Sequence, residues 1–453
     1  MIFGDKILKY KDEILNDLQT LLSIKSISGS MPQECDKALE FILNKAKEFG
    51  LEAERVTEQS GHITLGNKGR LCGVLSHLDV VPEGNGWSTE PFALTQKDGR
   101  LYGRGIADDK GAALINLYCM RALKENGVEG KNTLRAIYGI SEEVGMEDMD
   151  GYFEKMPAPE MAFTPDSDYG ICFAEKGILQ LEVSSKTNDS KLISQFSSGK
   201  AVNAVPDSAC VIIDTSSYDE QNLIQLADTS DGSFEFRNTI DGLMIISRGK
   251  AAHACEAEKG YNAASALVDI IADAFDKEDL GSLCSFIDYA VNKETNGRSL
   301  GLKMSDCVSG ALSVNLSSLN IDDEYAKAQF DIRYPVTING KSVLSQFEKV
   351  AARSNLDVTV INHEKPLYVD KQSKLINILS EAYEAVIGKM PELYSTGGGT
   401  YARKLNNNGV AFGPNFKDDD VRMHNSDESV DEGNFFLHAQ ICLEAMHRLF
   451  TCE

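Results

Sequence analysis

Apolar and polar positions along the chain first predict a helix: Ile7, Leu8, Ile14, Leu15, Leu18, Leu21 and Leu22 share one face of residues 5–22. Ala38, Leu39, Phe41, Ile42, Ala46 and Phe49 do the same over 36–49, with Gly50 suited to close that helix as its C′ residue. Short apolar runs then predict strands at 52–57, 62–66 and 71–76. A loop holding Pro82, Gly84, Gly86 and Pro91 leads to Gly103-Arg104-Gly105, a helix over 110–125, and buried strands at 134–140 and 161–164. Strand and helix alternate, which predicts an α/β fold with a mostly parallel central sheet.

From Gly177 the pattern changes. Alternating segments at 179–183, 209–213, 243–248, 310–319 and 328–334 are interspersed with helices near 261–276 and 341–354, as in an α+β module. Past Lys365-Pro366-Leu367 the α/β character returns, with helices at 373–388 and 431–450 and a glycine loop at 397–399. The expected organisation is a domain built from 1–176 and 366–453, with a second domain of two small lobes inserted at 177–365. The 453-residue length agrees, since it exceeds what one ordinary core fills.

Composition narrows the partners. A 42% hydrophobic and 25% charged chain is typical of soluble globular proteins. A net charge of −24 argues against nucleic acid or an anionic membrane, because both require a basic surface. No apolar stretch is long enough to span a bilayer and no signal-peptide pattern opens the chain. The ten cysteines are scattered without a CxxC pair, which points away from thiolate zinc sites and disulfide frameworks and toward the cytoplasm.

Candidate chemistry gathers at strand ends, where α/β sheets bind ligands. His77, Glu142, Glu143 and Asp166 all follow apolar strand runs. With period-two alternation, His77 and Asp79 project the same way, one as a metal ligand and the other holding its second N–H. Two metal ions held close together need roughly six ligand groups, one of them a bridging carboxylate. His77, Asp108, Glu143, Asp166 and a late histidine meet that need, with Asp108 in its glycine-flanked loop as the natural bridge. Glu142, next to Glu143, is then free to act as a general base. Singly, each such residue is more often a turn or capping group. His62, His363, His438 and His447 have no motif around them and are expected to be structural. Gly397-Gly398-Gly399 lacks the Lys-Ser/Thr of a phosphate loop, so close backbone approach is its expected use.

His77-Leu78-Asp79-Val80-Val81-Pro82, Gly103-Arg104-Gly105-Ile106-Ala107-Asp108-Asp109-Lys110-Gly111, Ser141-Glu142-Glu143 and Pro165-Asp166-Ser167-Asp168 resemble the co-catalytic zinc peptidases. That family includes carnosine dipeptidases, carboxypeptidase G and succinyl-diaminopimelate desuccinylase. Gly249-Lys250-Ala251-Ala252-His253, Asp331-Ile332-Arg333-Tyr334-Pro335, Thr396 to Arg403 and Met423-His424 extend the resemblance to its dipeptidase V-like branch and to nearly the whole chain. It implies a zinc-peptidase catalytic domain with an inserted lid domain, and two Zn²⁺ per chain with Mn²⁺ or Co²⁺ as alternative occupants. Asp108 is then the bridge, His77 and Asp166 complete one site, Glu143 and His424 complete the other, Asp79 orients His77, and Glu142 is the acid/base. A cis peptide is implied between Asp108 and Asp109.

The resemblance also assigns substrate roles. His253 resembles the oxyanion-stabilising histidine, Arg333 the clamp on a terminal carboxylate, and Asn203 a polar contact near the oxyanion; Gly398 and Gly399, read from the loop itself, are the backbone expected to approach substrate. Asp at 166, where acyl amino acid hydrolases tend to have Glu, implies a peptide substrate with a free amine. Tyr401, where Asp is common in the wider family, fits the dipeptidase V-like branch, and Ala254-Cys255 stand where many relatives have Gly-Ser. Dimeric relatives have a shorter insert and borrow the oxyanion histidine from a partner. The longer insert here implies a monomer, with a homodimer as the alternative. An N-acyl amino acid deacylase on the same metal site, and a non-catalytic metal-binding protein, are the competing functions.

Overall fold

The computed structural model describes residues 2–214, 220–291 and 293–453. They form two compact units. The first comprises Met1–Ala174, Leu367–Ser395 and Gly399–Glu453; the second comprises Glu175–Pro366 with Thr396–Gly398.

The first unit is organised by a nine-stranded sheet. Its spatial order is Glu52–Arg55, Ser60–Leu65, Thr133–Gly139, Leu71–His77, Met161–Thr164, Gly409–Ala411, Ile171–Glu175 and Leu367–Tyr368, with Leu393–Thr396 also paired to Ile171–Glu175. The α/β class holds, and parallel pairing joins the four central strands 133–139, 71–77, 161–164 and 409–411. Antiparallel pairs join 52–55 to 60–65, 60–65 to 133–139 and 409–411 to 171–175, so the central sheet is mixed. One reason is local: the short connection 56–59 permits only a hairpin between its two strands, whereas a parallel pair needs a long crossover.

Helix ends follow sequence chemistry. Pro32 opens the helix Pro32–Glu48, and Gly50 with φ of 69° donates its N–H to the Lys47 carbonyl just past its end. The Ser373 hydroxyl caps Lys374–Ile387, and the Asp431 carboxylate caps Glu432–Thr451. Lys110–Glu125 is buried on nearly every face and packs against Lys11–Ser23 and Glu432–Thr451. The first predicted helix is two pieces, a 3₁₀ stretch Phe3–Tyr10 followed by the α-helix Lys11–Ser23. In the 3₁₀ stretch Gly4 meets the backbone of Gln440, where a Cβ would lie 2.3 Å from the carbonyl oxygen.

The second unit is one eight-stranded antiparallel sheet. Its order is Ser233–Thr239, Gly242–Arg248, Ser208–Ile213, Ile193–Ser198, Ser313–Ile321, Ala326–Tyr334, Gly177–Ser185 and Asp357–Glu364. The expected two lobes thus share one continuous sheet. Phe196, Ser197 and Ser198 pair with Ile321, Asn320 and Leu319, which joins the two halves of the sheet, and one apolar cluster runs from Leu179 to Leu356 beneath it. The helices Ala263–Ala274, Gly281–Ala290 and Gly340–Ala351 bury their apolar faces in that cluster. Among the described residues, no helix is long and apolar enough to cross a membrane.

Candidate active site

Register places the site. His77, the last residue of its strand, pairs with Gly139, and the next N–H, of Leu78, donates to the Gly139 carbonyl at 2.9 Å. The turn after Gly139 is thereby held beside the segment after His77. Glu142 and Glu143 lie beyond the strand end, in the single 3₁₀ turn Glu142–Val144. Their separate directions thus come from a helical turn, not from strand alternation. Both of their N–H groups donate to the Asp79 carboxylate at 3.2 Å, which also accepts from the Ser28 hydroxyl at 2.6 Å.

Asp79 therefore has a wider task than holding His77. The second ring nitrogen of His77, Nδ1, lies 2.9 Å from the Asp79 backbone carbonyl and 3.4 Å from its carboxylate. The carbonyl is the closer acceptor, and the strand stops at His77. A carbonyl can only accept, so Nδ1 carries a proton, and Nε2 is the nitrogen that would be left to face a metal ion.

The five metal candidates converge on Asp108. Its Oδ1 is 2.8 Å from Nε2 of His77, and its Oδ2 is 2.8 Å from Nε2 of His424. Asp166 lies 4.0 Å from His77 Nε2, and Glu143 Oε1 lies 3.3 Å from His424 Nε2 while making no hydrogen bond. Ligand atoms of His77, Asp108 and Glu143, and those of His77, Glu142 and Asp166, lie within 4.8 Å of one another. The peptide between Asp108 and Asp109 is cis. His424 adopts φ of 62° and is half exposed, whereas His77 and Asp108 are buried.

Electrostatics set the donors apart. Burial and the neighbouring carboxylates push Glu142, Glu143 and Asp166 above the usual carboxylate range. Asp108 is held below it: burial opposes the shift, but both histidines favour its charge. Four carboxylates in one recess, one of them with an orphaned oxygen, form an anionic set in want of cations. Imidazole nitrogens and carboxylate oxygens are the donors that Zn²⁺, Mn²⁺ and Co²⁺ accept, so these residues fit divalent metal ions.

Several supporting residues were invisible in the motifs. Glu428 accepts from the N–H groups of Gly105 and Ala107 and pairs with buried Arg104, whose guanidinium also reaches the Asn425 carbonyl. One carboxylate thus ties the Asp108 loop to the His424 loop. Asp148 accepts from the N–H groups of Ile140 and Ser141 and from the Tyr401 hydroxyl, beneath the Glu142 turn. That contact accounts for Tyr401, whose ring also meets His77 edge-on at 6.2 Å.

In the second unit, Asn203 and His253 are neighbours: Ala204 bridges His253, and the Asn203 carbonyl accepts from Ala254 N–H at 2.8 Å. Arg333 is buried and grips Asp331 through Nε and Nη2 at 2.5 and 2.8 Å, while Nη1 donates to the Gly397 carbonyl at 2.8 Å. Asp331 was legible in principle, since it stands two residues before Arg333 on one strand and shares its face. The glycine loop is explained partly by the protein itself. A Cβ on Gly397 would lie 2.5 Å from that of Cys255, and one on Gly399 would lie 2.5 Å from the Arg403 guanidinium. Gly398 has room for a side chain, its nearest neighbour being 3.5 Å away. The four remaining histidines have structural partners: Tyr152 for His62, Tyr334 for His363, Tyr169 for His438, and the Phe3 ring for His447.

The sequence profile of "Peptidase family M20/M25/M40" matches residues 73–448. The chain belongs to this peptidase family. Members similar to it over the full length include a "Putative dipeptidase" of Staphylococcus epidermidis, 30% identical over 99% of both chains. Another is "Putative dipeptidase YtjP" of Bacillus subtilis, 29% identical over 98% of both. Among solved structures, human carnosine dipeptidase 1 shares the fold with a TM-score of 0.60, at 16% identity over 99% of this chain and 98% of that one. Family membership makes the chain a hydrolase, and the cluster around Asp108 supplies its candidate metal-binding groups.

Proposed function

We propose that this M20/M25/M40 member is a dinuclear zinc dipeptidase acting on dipeptides with a free amino terminus. The observation that carries the proposal is Asp108, whose two oxygens each face a different imidazole at 2.8 Å amid three further carboxylates. The names of the full-length relatives support the substrate class. Asp108 would bridge the two ions, His77 and Asp166 would complete one site, and Glu143 and His424 the other. When bound, Zn²⁺, or Mn²⁺ or Co²⁺ in its place, supplies Lewis acidity toward the scissile carbonyl and lowers the pKa of water.

The chain's own groups do the rest. Glu142 takes the proton from the attacking water and passes it to the amine nitrogen as the C–N bond breaks. Asp79 holds the N–H groups of Glu142 and Glu143 and so keeps base and ligand in place. His253 donates a hydrogen bond to the carbonyl oxygen as negative charge develops there, with Asn203 as a second polar contact. Arg333 spends three of its five N–H groups on Asp331 and Gly397, which leaves one on each terminal nitrogen for the substrate carboxylate. Gly398 and Gly399 offer backbone to the peptide. Asp166 favours a free amine over an acyl group.

A panel of dipeptides, tripeptides and N-acetyl or N-succinyl amino acids tests this with metal-loaded enzyme. Dipeptides are expected to turn over at least about tenfold faster in kcat/KM than the others, a preference of about 1.4 kcal/mol. Turnover of N-acyl substrates alone would make the chain a deacylase, and silence across the panel would leave only a metal-binding protein.

We read the enzyme as cytoplasmic, because its ten cysteines are scattered without a CxxC pair and suit a reducing compartment. We also propose a monomer, because an insert of eight strands is long enough to take the place of a partner subunit's. Light scattering is expected to return the 49.6 kDa chain mass, and a dimer at low protein concentration would refute this.

A further inference from the structure

Cys255 stands two residues past His253 and meets its imidazole twice. The thiol sulfur lies 2.9 Å from Nδ1, and the Cys255 backbone N–H donates to the same nitrogen at 3.2 Å. A backbone N–H can only donate, so Nδ1 must accept, and a neutral imidazole that accepts at Nδ1 carries its proton on Nε2. Burial pushes the Cys255 thiol up, although Arg333 pulls the other way, so the side chain stays an S–H donor toward the same lone pair. On its other side Cys255 is wedged against the glycine loop. The Gly397 position leaves no space for a Cβ beside it, and the carbonyl of that glycine holds Arg333. One side chain therefore touches both the imidazole and the loop that fixes the guanidinium.

We propose that Cys255 is a positioning residue that holds His253 in the Nε2–H tautomer, ready to donate to an oxyanion, and braces it against the Gly397 loop. The proposal rests on the reading of His253 as the oxyanion donor. Cysteine and serine both place one polar donor at this position, so the thiol keeps a function that its sequence context left unexplained.

The test combines steady-state kinetics of metal-loaded Cys255→Ala and Cys255→Ser, on a dipeptide turned over in the panel, with ¹⁵N NMR of the His253 ring. Loss of one side-chain hydrogen bond predicts a drop in kcat of about fivefold for Cys255→Ala, with KM within about twofold of the unaltered enzyme. Cys255→Ser should recover most of that loss. The ¹⁵N shifts should show Nδ1 unprotonated and Nε2 protonated in the unaltered enzyme. An unchanged kcat in Cys255→Ala, a serine variant no better than alanine, or a proton found on Nδ1 would each overturn the proposal. His253→Ala separates the two levels. If it loses about 100-fold or more in kcat, as removal of one oxyanion donor does, while Cys255→Ala is unaffected, only the role of the cysteine fails. If His253→Ala keeps full kcat, the oxyanion reading itself fails.

Discussion

Glu142→Gln is expected to keep its full complement of metal and to lose about 10²–10⁴-fold in kcat, the usual contribution of a positioned acid/base. The substitution preserves shape and removes only the capacity to take up and release a proton. Its interest lies in a choice that geometry leaves to chemistry. Glu142 lies within ligand reach of His77 and Asp166, so it could serve as a ligand as well as a base. The anchoring of its N–H to Asp79, next to that of Glu143, argues that both side chains are aimed by one device for two tasks. Elemental analysis of the purified variant beside its kcat decides the matter. Loss of metal would make Glu142 a ligand, and near-normal turnover with metal bound would sink the proposed mechanism.

Asp108→Ala should have the larger effect on binding. The carboxylate alone faces both imidazoles, and its removal leaves His77 and His424 without the group that connects their two positions. Both ions are expected to be lost and activity with them. A second signature is thermal. A ligand that binds only the folded state stabilises it, by about 2.7 kcal/mol at a hundred times its dissociation constant. Added Zn²⁺ should therefore raise the Tm of the metal-stripped parent and leave that of Asp108→Ala unchanged. A variant that retains two ions per chain would remove Asp108 from its central place.

Much of the fold was legible because buried strands and amphipathic helices imprint their periods on the sequence. The runs at 71–76, 134–140 and 161–164 and the helix at 110–125 differ from the observed elements by a residue or so. The second unit's margin escaped, as did the first unit's short strands Ile171–Glu175, Leu393–Thr396 and Gly409–Ala411. Ser233–Thr239 and Asp357–Glu364 are the second unit's two edge strands, and their apolar alternation is short, Phe234 and Phe236 in one and Val358 and Val360 in the other, amid largely exposed side chains. Ile193–Ser198 escaped too, since only Ile193 and Phe196 in it are apolar.

The site divides in the same way. His77, Asp108, Glu143, Asp166 and His424 were singled out by strand ends and motif, and the structure brings them together. Glu428, Arg104 and Asp148 were not, because each acts through backbone groups that are distant in sequence. Asp79 also serves His77 differently from what strand alternation predicts. Alternation requires a strand continuing to residue 79, whereas the strand ends at His77 and the backbone carbonyl becomes the nearer partner.

The place of Gly409–Ala411 in the first sheet has a consequence for biosynthesis. This strand sits between Met161–Thr164 and Ile171–Glu175, in the interior of the sheet, yet it is translated after the entire insert. A nascent chain that has left the ribosome as far as residue 366 therefore holds a half-sheet with an unfilled slot, its unpaired backbone open to any strand that arrives first. His424 comes later still. Until it docks, Asp108 has only one of its two imidazoles.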